Sequence, residues 1–330
     1  MKIVIDAMGG DYAPEAVIAG VIEALKEFDV TIVLVGIKDK VEAELQKHTY
    51  PKDKIELVHA PEVVEMHEPA VTSIRKKKDS SISIGLRLLK EKQYDAFISA
   101  GNTGAVVAAS TIHLGMLEGV ERPAIGTVIP TLKKCAFLMD AGANTDPKPE
   151  HILHNALMAK VYVREVLEIP NPTVGLVNIG EEAGKGTGFE KEAYKLLEAN
   201  LSNFIGNVEA NEVFTGKSDC VICDGFVGNI VLKVAEGLME SAGKLIKREV
   251  KKNPLAVLGA ILMKGSLGHI KKLVDYSEYG GAPLLGVNGL VMICHGRSNP
   301  KAIKNAIRAT MSEVEHDILS IMRKEILKPS

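Results

Sequence analysis

Short apolar runs alternate with longer amphipathic segments along nearly the whole chain, and this alternation constrains the fold more than any other feature. Runs at 2–6, 31–36, 55–59 and 96–99 are brief, and Ile32-Val33-Leu34-Val35 is apolar without interruption. Strands buried on both faces of a parallel sheet read in this way. Between them, 14–28, 38–48, 80–92 and 102–114 read as helices, with Pro14 placed for a first helical turn. The order strand, helix, strand implies a mainly parallel sheet with helices on both faces. Further strands are expected at 127–129, 136–139, 173–178, 219–223, 284–287 and 289–293, and further helices at 150–167, 190–200, 230–252 and 300–327. No Ser/Gly-rich linker divides the chain, so 1–330 reads as one large α/β domain with a helical subdomain at 230–278.

Composition narrows the function. A chain of 330 residues, 46% apolar and 25% charged, is long enough for a large core. A net charge of −2 argues against non-specific nucleic-acid binding. Aromatic residues are 4% of the chain and tryptophan is absent, which disfavours a base-stacking or sugar platform. The four cysteines, at 135, 220, 223 and 294, are too few for a disulfide scaffold, and a reducing cytosol is the simpler setting. The start, Met1-Lys2-Ile3-Val4-Ile5-Asp6, lacks the apolar core of a signal peptide. The longest apolar run, 255–263, would span only about 14 Å as a helix. That is too short to cross a bilayer, although it is long enough to touch one.

Glycine clusters stand where strands should end: Met8-Gly9-Gly10-Asp11, Ser99 to Gly104, Asp140 to Asn144, Asn178 to Gly188, Asp224 to Asn229, and Tyr279 to Pro283. In doubly wound sheets ligands sit beyond the carboxyl ends of the strands, and glycine lets backbone N–H groups approach them. Any one cluster reads as an ordinary turn; six with embedded Asn, Thr, Ser or Asp read as a shared polar site. Nucleotide fingerprints fail. Gly180 to Gly186 has too few intervening residues for a phosphate loop and a glycine where the hydroxyl belongs, and Asp6 to Asp11 does not match G-x-G-x-x-G.

Lys185 stands between Gly184 and Gly186, so a cation with almost no neighbouring bulk can lie against an oxyanion or a phosphate; a solvated loop lysine is the plainer alternative. Asn229 ends a glycine-rich turn before the long helix and reads either as its cap or as a ligand contact. Cys220 and Cys223 have redox or zinc spacing but lie in an apolar strand, so they read as buried thiols. His151 and His154 read as structural, and no nucleophile elbow is present. From 244 to 272 eight basic residues stand against Glu249 alone, bracketing the apolar run. Such a stretch suits anionic lipid headgroups or an acidic partner, against the alternative of a packed helix with lysines in water. The basic cluster Arg75 to Lys78 reads as a solvated loop.

Taken in order, six motifs resemble the bacterial phosphate acyltransferase (PlsX) family of phospholipid synthesis: Ile5 to Asp11, Ser99 to Ala105, Asn178 to Glu182 with Lys185-Gly186, Asp224 to Asn229, Tyr279 to Gly286 and His295 to Ser298. The resemblance spans nearly the whole chain. It implies a Rossmann-like α/β/α sandwich, similar to phosphate acetyltransferases and isocitrate-type dehydrogenases, with a helical protrusion. It also implies transfer of a long-chain acyl group from acyl carrier protein to inorganic phosphate, yielding an acyl phosphate that feeds glycerol-3-phosphate acylation. Members are homodimers, cytoplasmic and peripherally attached to the inner face of the cell membrane, and need no metal or organic cofactor; a downstream glycerol-3-phosphate acyltransferase is a candidate partner. Lys185 and Asn229 match positions the family uses in catalysis. With phosphate as nucleophile, the protein needs no Ser or Cys of its own. The expected cradle is Gly101, Asn102, Thr103 and Gly104 together with Gly184, Gly186 and Asp224. The expected carrier or membrane surface is Lys247, Arg248, Lys251, Lys252, Leu255, Leu258, Ile261, Lys271 and Lys272. The rival readings are a phosphate acetyltransferase-like enzyme using acyl-CoA, a decarboxylating dehydrogenase, and a non-catalytic membrane scaffold.

Overall fold

The computed structural model describes residues 1–91, 93–273 and 275–327, without the side chains of 270–273 and 276. In chain order the elements are β1 (Lys2–Asp6), α1 (Glu15–Leu25), β2 (Thr31–Gly36), α2 (Lys38–Leu45), β3 (Ile55–His59), α3 (Ala70–Lys76), α4 (Ser81–Lys90), β4 (Ala96–Ser99) and α5 (Thr103–Leu114). Then come β5 (Ala124–Pro130), β6 (Cys135–Met139), α6 (Pro149–Glu165), β7 (Val174–Asn178), α7 (Gly188–Asn200), β8 (Phe204–Glu209) and β9 (Cys220–Ile222). The chain closes with α8 (Gly225–Lys251), α9 (Pro254–Leu262), α10 (Lys264–Leu273), β10 (Ala282–Leu285), β11 (Leu290–Ile293), α11 (Pro300–Glu315) and α12 (Ile318–Ile326).

The described strands form one 11-stranded sheet in the order β3-β2-β1-β4-β11-β10-β5-β6-β9-β7-β8. Most pairs are parallel, as the alternation predicted; β11–β10, β10–β5 and β5–β6 are antiparallel. Because that number is odd, the two parallel blocks run in opposite directions. The carboxyl ends of β1, β2, β3, β4 and β11 therefore lie at one edge of the sheet, and those of β6, β9, β7 and β8 at the other.

Helices cover both faces of the first block. Val17, Ile18 and Val21 of α1 pack with Ile303 and Ile307 of α11 on one side, and Ile82, Leu86, Val106 and Ala109 of α4 and α5 pack on the other. In the second block α6, α7 and α12 bury one face, while the other carries a small cluster closed, among the described residues, by Val213, Phe214 and the start of α8. Beyond that start α8 leaves the sheet, so α8, α9 and α10 form the expected helical protrusion.

Three details differ from the sequence reading, and one lies beyond comparison. The predicted helix at 300–327 is two helices, because Asp317 adopts φ 47, ψ 43 between them; Asp tolerates this left-handed conformation better than most residues. β8 escaped notice because Gly206 (φ 93) and Asn207 interrupt its apolar alternation. Arg75 and Lys76 end α3 rather than a loop, and Lys77 Nζ donates to the Val63 carbonyl at 2.7 Å and pairs with Glu68. Lys92, the expected last residue of the 80–92 helix, lies outside the described residues.

One buried acid sits in the second core. Glu313 on α11 is 1% exposed and accepts the Tyr162 hydroxyl at 3.2 Å, while Tyr162 stacks on Phe137. Burial pushes the Glu313 carboxyl up from 4.5 to about 8. The folded chain therefore holds it protonated where the unfolded chain has already ionised, and stability falls as pH rises from about 4.5 to about 8. Glu313→Gln is expected to match the parent protein near pH 4.5 and to melt at a higher temperature at pH 8; thermal melts across that range check it, and parallel curves would contradict it.

Candidate active site

β6, β9 and β7 are adjacent and parallel, with Met139 beside Ile222 and Ile222 beside Leu176. Three loops consequently leave one edge side by side: 140–144 after β6, 223–224 after β9, and 179–187 after β7. Lys185 is carried by the third of them, and the second leads directly into α8, whose second turn carries Asn229.

The first two loops are joined by main-chain contacts. Asp140 N–H donates to the Cys223 carbonyl at 3.0 Å, and Gly225 N–H donates to the Asn144 carbonyl at 2.7 Å. Gly228 sits so close to Asp140 that a methyl group there would fall 1.9 Å from its carbonyl oxygen. Gly142, at φ +141, lies against Asn229, with 3.6 Å between the space its side chain would take and Asn229 Cβ. The glycines of 225–229 thus let helix backbone meet loop backbone. α8 begins at Gly225, not near 230, because Asp224 is its N-cap: Asp224 Oδ1 accepts Phe226 N–H at 2.8 Å and Val227 N–H at 3.0 Å. Two findings follow. Asn229 is not the cap but an exposed residue of the second turn, free for another partner. Asp224, expected at phosphate, spends its Oδ1 on the helix.

The Lys185 loop is held at both ends by two buried asparagines. Asn178 Nδ2 donates to the Lys185 carbonyl at 3.3 Å and to Asn207 Oδ1 at 3.2 Å, and Asn207 Nδ2 donates to the Glu182 carbonyl at 2.9 Å. Gly186 takes φ +84 against Asn178, a conformation that favours glycine. Gly184 is exposed with nothing packed over it. Lys185 itself is 48% exposed, and its Nζ lies 3.7 Å from Glu182 Oε1. A loosely paired, solvent-facing cation of this kind can exchange its carboxylate for a phosphate oxygen. Asn207, in the missed strand β8, is the residue that sequence reasoning had no signal for.

The structure does not bring Gly101–Gly104 to this place. β4 ends at the opposite edge, because an odd number of antiparallel steps separates it from β7. There Asn102 Oδ1 caps α5 through Ala105 N–H at 3.0 Å, and its Nδ2 donates to the carbonyls of Met66 and Glu68 at 3.0 and 3.1 Å. Gly101 N–H donates to Ser99 Oγ, which donates in turn to the buried Asp6 carboxylate at 2.8 Å. Thr103 and Gly104 are exposed in the first turn of α5. That edge has its own cleft of about 400 Å³, lined by Met8, Gly10, Asp11, Lys40, Glu65 and His67 among others. The single cradle expected from 101–104 and 184–186 is therefore two separate glycine-rich places.

The thiols expected in the core are there: Cys220 and Cys223 are buried and reduced, and burial pushes both well above the ordinary thiol range. On the protrusion, Leu255, Leu258, Ile261 and Leu262 are exposed, Leu262 at 80%. Glu249 pairs with both Arg248 and Lys252, while Lys247 and Lys251 make no ion pair among the described residues. The side chains of Lys271 and Lys272 lie outside the described residues. No described helix is long and apolar enough to cross a membrane.

The family described as "Fatty acid synthesis protein" matches residues 1–321. The chain belongs to this family. It is 48% identical to the phosphate acyltransferase of Dictyoglomus turgidum over 96% of this chain and 95% of that one. It is also 49% identical to the phosphate acyltransferase of Alkaliphilus oremlandii over 97% of this chain and 95% of that one. Among solved structures, a phosphotransacetylase from Streptococcus pyogenes superposes with a TM-score of 0.66 at 15% identity, covering 96% of this chain and 94% of that one. EutD phosphotransacetylase from Staphylococcus aureus gives 0.59 at 17% identity, with 94% of each chain covered. These structures share the fold, and members of the family are enzymes that transfer acyl groups.

The close approach of α8 to loop 140–144 leaves no room for a side chain at 228. Gly228→Ala is expected to lower stability by about 1–3 kcal/mol and to depress activity, as read by thermal melting and turnover; an unchanged melting temperature would contradict the packing described.

Proposed function

We propose that this chain transfers a long-chain acyl group from acyl carrier protein to inorganic phosphate, giving an acyl phosphate for phospholipid synthesis. The observation that carries the reading is the departure of the Lys185 and Asn229 loops from one edge of adjacent strands, in a chain about half identical to proteins named phosphate acyltransferase.

Phosphate is the nucleophile. One of its oxygens attacks the thioester carbonyl, the C–O bond forms, and the C–S bond breaks. The carrier leaves as a thiolate and takes a proton from solvent. Holding the dianion in line converts an encounter between two molecules into a step within one complex. Lys185 supplies the positive charge that gathers phosphate, replacing its contact with Glu182. Asn229 donates its amide N–H to the thioester oxygen as charge develops there. No acyl group passes through the protein, in keeping with Cys220 and Cys223, whose thiols burial keeps protonated.

The protrusion serves the same chemistry. Ile230, Val234, Leu238 and Leu245 form an exposed apolar stripe on α8, suited to the same stripe of a second copy. The tip, with Leu255, Leu258, Ile261 and Leu262 beside Lys247 and Lys251, suits contact with anionic lipid and with an acidic carrier, so that a poorly soluble product forms at the membrane surface. The chain then works as a cytoplasmic homodimer attached to the inner face of the membrane, near the acyltransferase that consumes its product.

Lys185→Ala and Asn229→Ala are each expected to lower kcat by about 10²–10³, measured as phosphate-dependent loss of palmitoyl carrier-protein thioester. Near-normal turnover in both would end the assignment. Palmitoyl-CoA at the same phosphate concentration is expected to be the poorer donor; a preference for it would favour the phosphotransacetylase-like reading. Leu258→Glu is expected to reduce sedimentation with anionic vesicles and to leave the melting temperature unchanged, whereas undiminished binding would remove the membrane contact.

A further inference from the structure

Asp140, at the end of β6, is 1% exposed and carries no part of the chemistry above. Its surroundings are unusual for a buried acid. Oδ1 accepts the backbone N–H of Ile125, Gly142 and Ala143 at 3.1, 3.0 and 2.9 Å. Oδ2 accepts Asn144 N–H at 2.7 Å and Asn144 Nδ2 at 3.3 Å. Five donors converge on one carboxyl group, and no acceptor stands among its partners to receive a proton; burial pushes the carboxyl above its usual range, and the backbone N–H bonds of Ala143, Gly142, Asn144 and Ile125 oppose that by favouring the anion. A buried carboxylate is costly unless it is bonded this fully, and the arrangement asks what the cost supports.

β6 is already bonded to β5 and β9 through its main chain, and the carboxylate adds a single bond to β5, at Ile125. What the carboxylate shapes is the turn 140–144, whose N–H groups it draws inward. With those groups turned in, the Asn144 carbonyl faces out to receive Gly225 N–H, and Gly142 lies against Asn229. The main chain of Asp140 meets Gly228 on the same turn of α8, where the Cys223 thiol also points at the Asp140 carbonyl at 3.7 Å. The first turn of α8 is thus pinned at Gly225 and Gly228, on either side of the residues that lead to Asn229.

We propose that Asp140 is the positioning residue for Asn229: its carboxylate folds 140–144 into the surface that fixes where the Asn229 amide points. The proposal rests on the assignment of Asn229 to the reacting centre. An amide donor contributes to turnover only when it meets the developing oxyanion at hydrogen-bond distance, so a small displacement is felt in kcat. Loss of Asp140 leaves four backbone N–H groups without their acceptor, and the turn relaxes away from α8. Phosphate capture, which depends on the separate loop held by Asn178 and Asn207, is spared.

The test is a double-mutant cycle of Asp140→Ala and Asn229→Ala, with Asp140→Asn as the conservative variant. Turnover of palmitoyl carrier protein is measured at varied phosphate, beside circular dichroism and thermal melts. Asp140→Ala is expected to lower kcat about 10²-fold while the KM for phosphate stays within about threefold. Asp140→Asn is expected to recover part of the loss, because its carbonyl oxygen keeps the three contacts of Oδ1. In the Asn229→Ala background the further loss on removing Asp140 is expected to be under about threefold. Equal losses in both backgrounds, or a loss confined to KM, would overturn the proposal while leaving the function of Asn229 intact. Normal turnover of Asn229→Ala alone would overturn both. If Asp140→Ala does not fold, Asp140→Asn carries the cycle under the same criteria.

Discussion

The main-chain contact between the end of β6 and the first turn of α8 is the constraint on which the rest of the site depends. Strand β9 is only three residues long, so little sheet pairing fixes where its helix begins. The direction of α8 comes instead from backbone lying on backbone, at Gly225 and Gly228 against the 140–144 turn. Any larger residue would push the helix outward. The position of Asn229, the exit angle of the protrusion and the placement of its apolar stripe all follow from that one join.

A second constraint acts on the neighbouring loop. Lys185 sits in a segment that packs against nothing large, yet its two ends are tied by the Asn178–Asn207 pair. The arrangement separates two demands: the loop backbone is held from below by buried amides, while the lysine side chain remains in solvent, paired only loosely with Glu182. A fixed base under an exposed cation is what capture of a small anion requires, because preorganisation lowers the entropy lost on binding while exposure keeps access open.

The strands and helices were legible because their periodicities differ and because the buried strands are almost uninterrupted in Val, Ile and Leu. Lys185 stood out by its flanking glycines, and Asn229 by its place in a glycine-rich turn. Strand direction was not legible. The three antiparallel pairs that reverse the second block are formed partly by β10 and β11, far along the chain from β5 and β6, and nothing local in 101–104 reports that its edge faces away from 184–186. The roles of Asp140 and Asn207 were hidden for a related reason. A buried carboxylate or amide is identified by the donors that surround it, and those come from residues up to about 30 positions away. The capping role of Asp224 was not legible, because an acidic residue before a helix carries the same signature whether it caps the helix or meets a ligand.

The central claim is that phosphate takes the acyl group directly, with the polypeptide as positioning frame and never as carrier. The most direct measurement mixes the purified protein with a stoichiometric amount of radiolabelled palmitoyl carrier protein in phosphate-free buffer, and adds phosphate only afterwards. The account predicts no carrier thiol release and no label on the protein in the first stage, then acyl phosphate at the rate of steady-state turnover. A burst of thiol release before phosphate is added, with palmitate covalently bound to the chain, would contradict it.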